Sequence, residues 1–306
     1  MPSDDAVRPG SARAWAAALR PWSLPIAIAP VLVGAALGWA RTGSIDPGIA
    51  IAVLAASVLV QLVTNLQNDV GYTVRGAERD GTRTGPPRAT ARGWLGVRTV
   101  RAAVVVASVS AAALGAFLVA ARGWPVLAIG VASLTAALAY MGGPRPIAYG
   151  PFGEATVLVF FGVVAVCGTD WMLTGGIGPA TALASVASGA FAAAALAANN
   201  HRDAEHDGRV GRRTFAVRHG PRASATLFAG LLLAPFALLP PIAWAAGSPA
   251  MLGPLVLLPS TLRLRRDFGG TQGAMLTPIV RRTFGAALRF AMLLAAGAVL
   301  GRLAGV

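Results

Sequence analysis

Lysine is absent from all 306 residues, so each of the 26 basic side chains is an arginine. The replacement is uniform along the chain, which reads as base composition of the gene rather than a demand of chemistry. Charge of either sign is scarce, at 12% of residues, about half the share of roughly 25% usual in a soluble domain. Cys167 is the single cysteine. That excludes a disulfide framework, and its apolar surroundings make it a buried structural thiol. The net charge of +14 does not imply nucleic acid, because the arginines fall between apolar runs and build no basic domain. A cleaved leader is not expected either: residues 1–18 form a polar N-terminal segment, and Pro25 and Pro30 interrupt the first apolar stretch.

What is abundant is apolar sequence, 55% of the chain with mean hydropathy +0.64. It gathers in runs such as Ile49–Val63, Ala102–Ala121, Ala180–Ala198 and Leu227–Ala246. A membrane-spanning helix needs roughly 20 mainly apolar residues. The expected fold is therefore all-α, a polytopic helical bundle of about nine spans forming one domain over 1–306. The spans are expected near 22–40, 47–67, 99–121, 124–141, 154–174, 179–200, 222–246, 249–262 and 282–304. The eighth is the weakest, being short and broken by Pro254 and Pro259. With the N-terminus cytoplasmic, the opposite face receives only Arg41, Arg122 and Arg302, as the positive-inside rule expects. That places the chain in a cell inner membrane, in contact with membrane lipid.

Two long loops on the arginine-rich side follow the second and sixth spans, and both open with the same chemistry. One reads Asn65-Leu-Gln-Asn68-Asp69, the other Asn199-Asn200-His-Arg-Asp203. Residues three and four apart share a helix face. Asn65, Asn68, Asp69, Tyr72 and Arg75 or Gly76 thus form one stripe, and Asn199 or Asn200, Asp203 and Asp207 the other. A weak internal duplication would bring both ends to one central cavity. Two facing sets of carboxylate and amide oxygens suit Mg²⁺, which typically takes one or two carboxylates plus substrate phosphates. Nearby arginines, among them Arg75, Arg79, Arg83, Arg88, Arg202 and Arg212, suit diphosphate oxygens. His201, His206 and His219 are read as solvated rather than as ligands.

At these residues the sequence resembles the UbiA superfamily of intramembrane aromatic prenyltransferases, nearest its 1,4-dihydroxy-2-naphthoate branch of menaquinone synthesis. The likeness covers nearly the whole chain: Arg20-Pro-Trp-Ser-Leu-Pro25, the first motif through Gly76, Arg83-Thr-Gly-Pro86-Pro-Arg88, Tyr140-Met-Gly-Gly-Pro144-Arg-Pro146, and the second motif through Thr214. The resemblance implies Mg²⁺-dependent transfer of a polyprenyl group from its diphosphate to an aromatic acceptor. It implies Asp69, Asp203, Asp207 and Arg75 as catalytic, and Asn68, Asp69, Glu78, Asp203 and Asp207 as metal ligands. Arg20, Asn65, Asn68, Tyr72, Arg79, Arg88, Tyr140, Arg145, Tyr149, Glu154, Asn200 and Arg212 are the implied substrate contacts. One departure stands out: the family's first motif usually carries a second Asp three residues after the first, where this chain has Tyr72. Metal binding is thereby expected to lean on Asp203 and Asp207. A different aromatic acceptor is one alternative. A transporter is another, but its polar residues belong near the bilayer midplane rather than at span ends. A CDP-alcohol phosphotransferase would need its Asp residues in one run.

Overall fold

The computed structural model describes residues 7–78 and 83–305, and these are helical with short connections. Eight helical segments among them are long and apolar enough to cross a membrane. Helix α1 (Ala12–Leu19) lies before α2 (Pro25–Thr42), which starts on a proline at its first position, where the missing N–H costs nothing. Helix α3 (Pro47–Val74) is capped by Asp46, whose Oδ1 accepts from the N–H groups of Gly48 and Ile49 at 2.7 and 3.1 Å. Next come α4 (Val97–Arg122) and α5 (Trp124–Met141). The fifth crossing is composite: α6 (Gly153–Leu158), a π-helical stretch Val159–Cys167 and α7 (Gly168–Thr174). Helix α8 (Pro179–Arg202) follows, then the short α9 (Ala204–Arg209). The next crossing joins α10 (Phe215–Ala237), kinked at Gly220 with φ 77°, to α11 (Leu239–Ala246). The chain closes with α12 (Leu258–Gly269) and α13 (Thr277–Leu303).

The expected span at 249–262 is the exception. It consists of a 3₁₀ helix, Pro249–Leu257, running into α12, and it is not among the eight apolar segments. Its prolines force the tighter helix, and Arg263, Arg265, Arg266 and Asp267 make its second half polar. It still runs the length of the bundle. A Cβ on Gly297 would touch Ala250 at one end, while Phe268 packs on His201 at the other.

Two ends of the bundle are thus defined. The C-terminal ends of α3, α5 and α8 meet at one end, joined through Arg75 to Gly143 and through Arg212 to Tyr72. At the far end Arg41 pairs with Asp170, Arg122 donates to the Met172 carbonyl, and Arg302 reaches the Ala40 carbonyl. These are the three arginines that the sequence assigned to one face.

Helix α8 forms the centre, lined by Ala184, Ala187, Ala194, Ala197 and Ala198, all fully buried. Small residues let neighbouring backbones approach where lipid supplies no hydrophobic drive. Gly162 and Gly189 show this most clearly. A Cβ on Gly162 would lie 2.5 Å from the Ser185 carbonyl oxygen and 2.7 Å from the Gly189 Cα. Outward faces are apolar as well: Val105, Val106, Val109, Phe117 and Leu127 are exposed. In water such a surface would drive association; against acyl chains it is matched. Trp124 and Trp244 stand exposed at the far end, where the amphipathic indole suits a bilayer interface.

Candidate active site

A cavity of about 480 Å³ lies inside the bundle. Most of its wall is apolar, with Ile26, Val53, Leu134, Phe160 and Phe284 among the lining side chains. The polar end is formed by Arg20, Asn65, Asn68, Tyr72, Arg88, Asn199, Asn200, Arg202 and Arg212. Both motifs therefore reach one cavity, as the duplicated pattern anticipated. The groups on its wall, however, are guanidinium and amide rather than carboxylate: Asp69, Glu78, Asp203 and Asp207 sit behind them.

Asp69 differs most from the expected arrangement. Its Oδ2 accepts from Ala89 N–H at 2.9 Å, and its Oδ1 from Thr90 N–H at 2.8 Å and Thr90 Oγ1 at 2.6 Å. Two buried backbone donors at a turn need acceptors, and Asp69 meets that need. It anchors the turn just after Arg88 and does not face the cavity with Asn68 and Tyr72. Asn65 is likewise occupied: its Nδ2 donates to the Leu19 carbonyl and Ser23 Oγ, and its Oδ1 accepts from Gln61. Ser23 and Gln61 were not singled out in the sequence. The one signal was a glutamine a helical turn before Asn65 within an apolar run.

Tyr72 stands at the centre of a ring of arginines. The guanidinium carbons of Arg88, Arg83 and Arg212 lie 4.2, 5.1 and 5.3 Å from its ring centroid. Arg212 also donates from Nη1 to the Tyr72 hydroxyl and, at 2.6 Å, to Asp207 Oδ1, while its Nε donates to the Ala148 carbonyl at 3.1 Å. Arg202 grips both oxygens of Asp203 at 2.8 Å from Nε and Nη2. Arg83 pairs with Glu78 at 2.9 Å and approaches Asp203 at 3.6 Å.

Burial opposes the ionised Asp203, but Arg83 and the bonded Arg202 outweigh it and hold that carboxyl below the ordinary range. Asp207 goes the other way. Burial lifts it against the pull of Arg212, helped by the neighbouring Asp203 charge. The same contacts act on Arg212, where burial is overcome by Tyr72 and Asp207 and the guanidinium is held more firmly protonated. At Arg88, burial and then the like charge of Arg83 weaken the hold on the proton.

Among the buried oxygens without a donor are Asn68 Oδ1 and Asp207 Oδ2. Together with Asp203 they form an oxygen-only set, the chemistry a hard cation selects. Among the described residues no three acidic, His or Cys side chains cluster closely enough to ligate a metal by themselves. The arrangement fits Mg²⁺ that completes its shell with phosphate oxygens. Glu78 Oε1 is tied to Arg83 at 2.9 Å and lies 3.8 Å from Arg88, as Asp203 is tied to Arg202.

Of the expected acceptor contacts, Arg20 and Tyr140 line the cavity, as does Asn200 of the second motif. Glu154 is buried behind Asn200, accepting from its Nδ2 at 2.8 Å with Oε2 left unpaired. Arg145 is exposed, and Tyr149 lies under Arg75 and Arg212 outside the cavity wall. Arg75 itself is tied to Gly143 at the rim. Arg79 lies outside the described residues.

Apolar crossings around a cavity with a cationic end define a polytopic membrane protein. The chain belongs to the UbiA prenyltransferase family, whose model matches residues 27–270; it is a membrane-embedded prenyltransferase. It is 35% identical to the 1,4-dihydroxy-2-naphthoate octaprenyltransferase of Escherichia coli (strain K12), over 72% of this chain and 73% of that protein. The enzyme of that name from Mycobacterium tuberculosis is 33% identical over 94% of this chain and 98% of its own. A UbiA homolog from Archaeoglobus fulgidus bound to DMAPP and Mg²⁺ superposes with TM-score 0.62 at 16% identity, covering 92% of this chain and 99% of that one. At that identity the likeness establishes the fold alone.

Proposed function

We propose that this chain, as a single domain over 1–306, transfers a polyprenyl group from its diphosphate to 1,4-dihydroxy-2-naphthoate at the cytoplasmic face of a bacterial inner membrane. The observation that carries this reading is the polarity of one cavity. Its apolar length suits a prenyl tail, each buried CH₂ contributing about 0.8 kcal/mol, and its end gathers the guanidinium groups of Arg20, Arg88, Arg202 and Arg212. The naphthoate acceptor rests on the two relatives named for that substrate.

Arg212, Arg202, Arg88 and Arg20 orient the diphosphate, their planar forks matching phosphate oxygens. Asp203, Asp207 and the Asn68 amide oxygen would hold Mg²⁺, which would supply countercharge to the leaving diphosphate. The allylic C–O bond breaks with its electron pair leaving on diphosphate. The apolar wall excludes water, so the aromatic ring intercepts the cation. Overall, aryl carboxylate and allyl cation yield the prenylated ring and CO₂. Tyr140 and Asn200 hold the acceptor, with Glu154 fixing the Asn200 amide from behind. Mass spectrometry of products from membranes given Mg²⁺, polyprenyl diphosphates and a panel of aromatic acids tests this reading. Prenylated, decarboxylated naphthoate that disappears with EDTA is expected; product from a different acid alone would refute the acceptor.

A further inference from the structure

The cavity wall also holds a neutral hydrogen-bond acceptor with no donor in the protein. Gln61 lines the cavity from α3. It is 6% exposed, and its Oε1 is buried without a donor. It lies four residues before Asn65, about 6 Å along the helix, on the apolar side of the two motif asparagines.

Its neighbours decide which atom of the amide is left over. The Leu19 carbonyl can only accept, so the Asn65 atom that bonds it at 2.8 Å is the nitrogen. Asn65 Oδ1 then faces Gln61 and takes a hydrogen from Nε2 at 3.2 Å. Ser23 gives its own hydrogen to the Arg20 carbonyl at 2.9 Å. Its oxygen accepts from Asn65 Nδ2 at 2.9 Å and from Gln61 Nε2 at 3.2 Å. One donor and two acceptor sites exhaust that hydroxyl. Both hydrogens of Gln61 Nε2 are thereby spent, and its oxygen is held in one orientation by a chain that ends on two backbone carbonyls.

The hydroxyls one turn either way on α3 do not supply the missing hydrogen. Ser57 donates to the Ala27 carbonyl at 2.9 Å and Thr64 to the Val60 carbonyl at 3.0 Å. A buried acceptor without a donor is costly, so its place on a cavity wall points to a ligand that brings a hydrogen. A prenyl tail carries no O–H or N–H, and an ionised diphosphate only accepts. The aromatic acceptor is the substrate with hydroxyls. In 1,4-dihydroxy-2-naphthoate the 1-hydroxyl sits beside the carboxylate and bonds it internally, which leaves the 4-hydroxyl as the free donor.

We infer that Gln61 Oε1 accepts the hydrogen of the acceptor's free hydroxyl and so selects a dihydroxylated ring, with Ser23 and Asn65 as positioning residues for that oxygen. The inference rests on the reading of this cavity as the site of a hydroxylated aromatic acid, and it names the group that tells one such acid from another.

Anaerobic calorimetry on the purified full chain in detergent tests it, with 1,4-dihydroxy-2-naphthoate and 1-hydroxy-2-naphthoate as probes. The parent should bind the second acid about 10- to 100-fold more weakly, the effect of leaving a buried acceptor unpaired. Gln61→Met should bring the two affinities to within about twofold by weakening the dihydroxy acid alone. Ser23→Ala, which loosens the support but keeps the oxygen, should lower the melting point and preserve discrimination; a merely structural Gln61 would not separate the two variants in this way. Gln61→Asn, whose amide is withdrawn by one methylene, supplies the same comparison should the Met variant not fold. Equal binding of the two acids by the parent, or undiminished discrimination in a folded Gln61 variant, overturns the inference. Prenyl transfer is scored separately. Transfer to the dihydroxy acid with discrimination independent of Gln61 removes the inference and leaves the enzymatic reading, whereas a parent that neither binds nor prenylates that acid removes both.

Discussion

The bundle buries charge at both ends and treats the two oppositely. At the far end, Asp170 is fully buried and fully satisfied. It accepts from Arg41 at 3.0 Å, Thr174 Oγ1 at 2.9 Å, Gly178 N–H at 3.0 Å and Thr181 Oγ1 at 2.7 Å. At the motif end, Asn68 Oδ1, Asp207 Oδ2 and nitrogens of Arg20, Arg83 and Arg88 remain unpaired. A buried polar network is stable when complete and costly when partial. The far end has the chemistry of a fastener. The motif end has that of a site kept incomplete for a ligand.

Removing an acid from each end should therefore give different kinds of damage. Asp170→Ala leaves Arg41 and three other donors without their acceptor, and a stability loss of about 3–5 kcal/mol is expected. Thermal unfolding in detergent would read it, and an unchanged melting point would erase the contrast between the ends. Asp207→Asn should lower prenyl transfer by about 10²- to 10³-fold, equivalent to roughly 2.7–4 kcal/mol, with little change in melting. If melting falls in step with rate, the motif end is a fastener too. Between the ends, Gly162→Ala drives a methyl into the Ser185 carbonyl. An overpacking loss of about 1–3 kcal/mol should appear in melting, with the KM for diphosphate unchanged. The smallest effect belongs to Asp46→Ala at the start of α3. Losing that cap should cost about 1 kcal/mol, visible as a modest drop in melting and none in diphosphate binding.

Asp69 shows how far sequence reasoning carries. Its place beside Asn68 on an amphipathic helix end marks it as part of the site, and helix periodicity puts it near Tyr72. Periodicity does not reveal that the loop at Ala89–Thr90 returns to claim both its oxygens. That partner lies 20 residues away in sequence and belongs to no periodic pattern. Asp203 and Asp207 illustrate the same limit. Their spacing places them on one stripe at the end of the sixth span, and the structure sets Asp203 between α8 and α9 and Asp207 within α9, where Arg202 and Arg212 shield them from the cavity wall. The weak span at 249–262 was legible as weak, because Pro254 and Pro259 disrupt the α-helical ladder, and it folds as 3₁₀ helix running into α12.

The scarcity of charge and the length of the apolar runs determined a membrane bundle, since only helices satisfy their own backbone in lipid. The arginine tally likewise separated Arg41, Arg122 and Arg302 from the rest before any fold was known. Which oxygens and guanidinium nitrogens remain free was decided by tertiary structure alone. Satisfaction of a buried polar atom depends on partners far away in sequence. In this chain those distant partners quiet Asp69 and Asp170 and leave Arg20, Arg83 and Arg88 waiting.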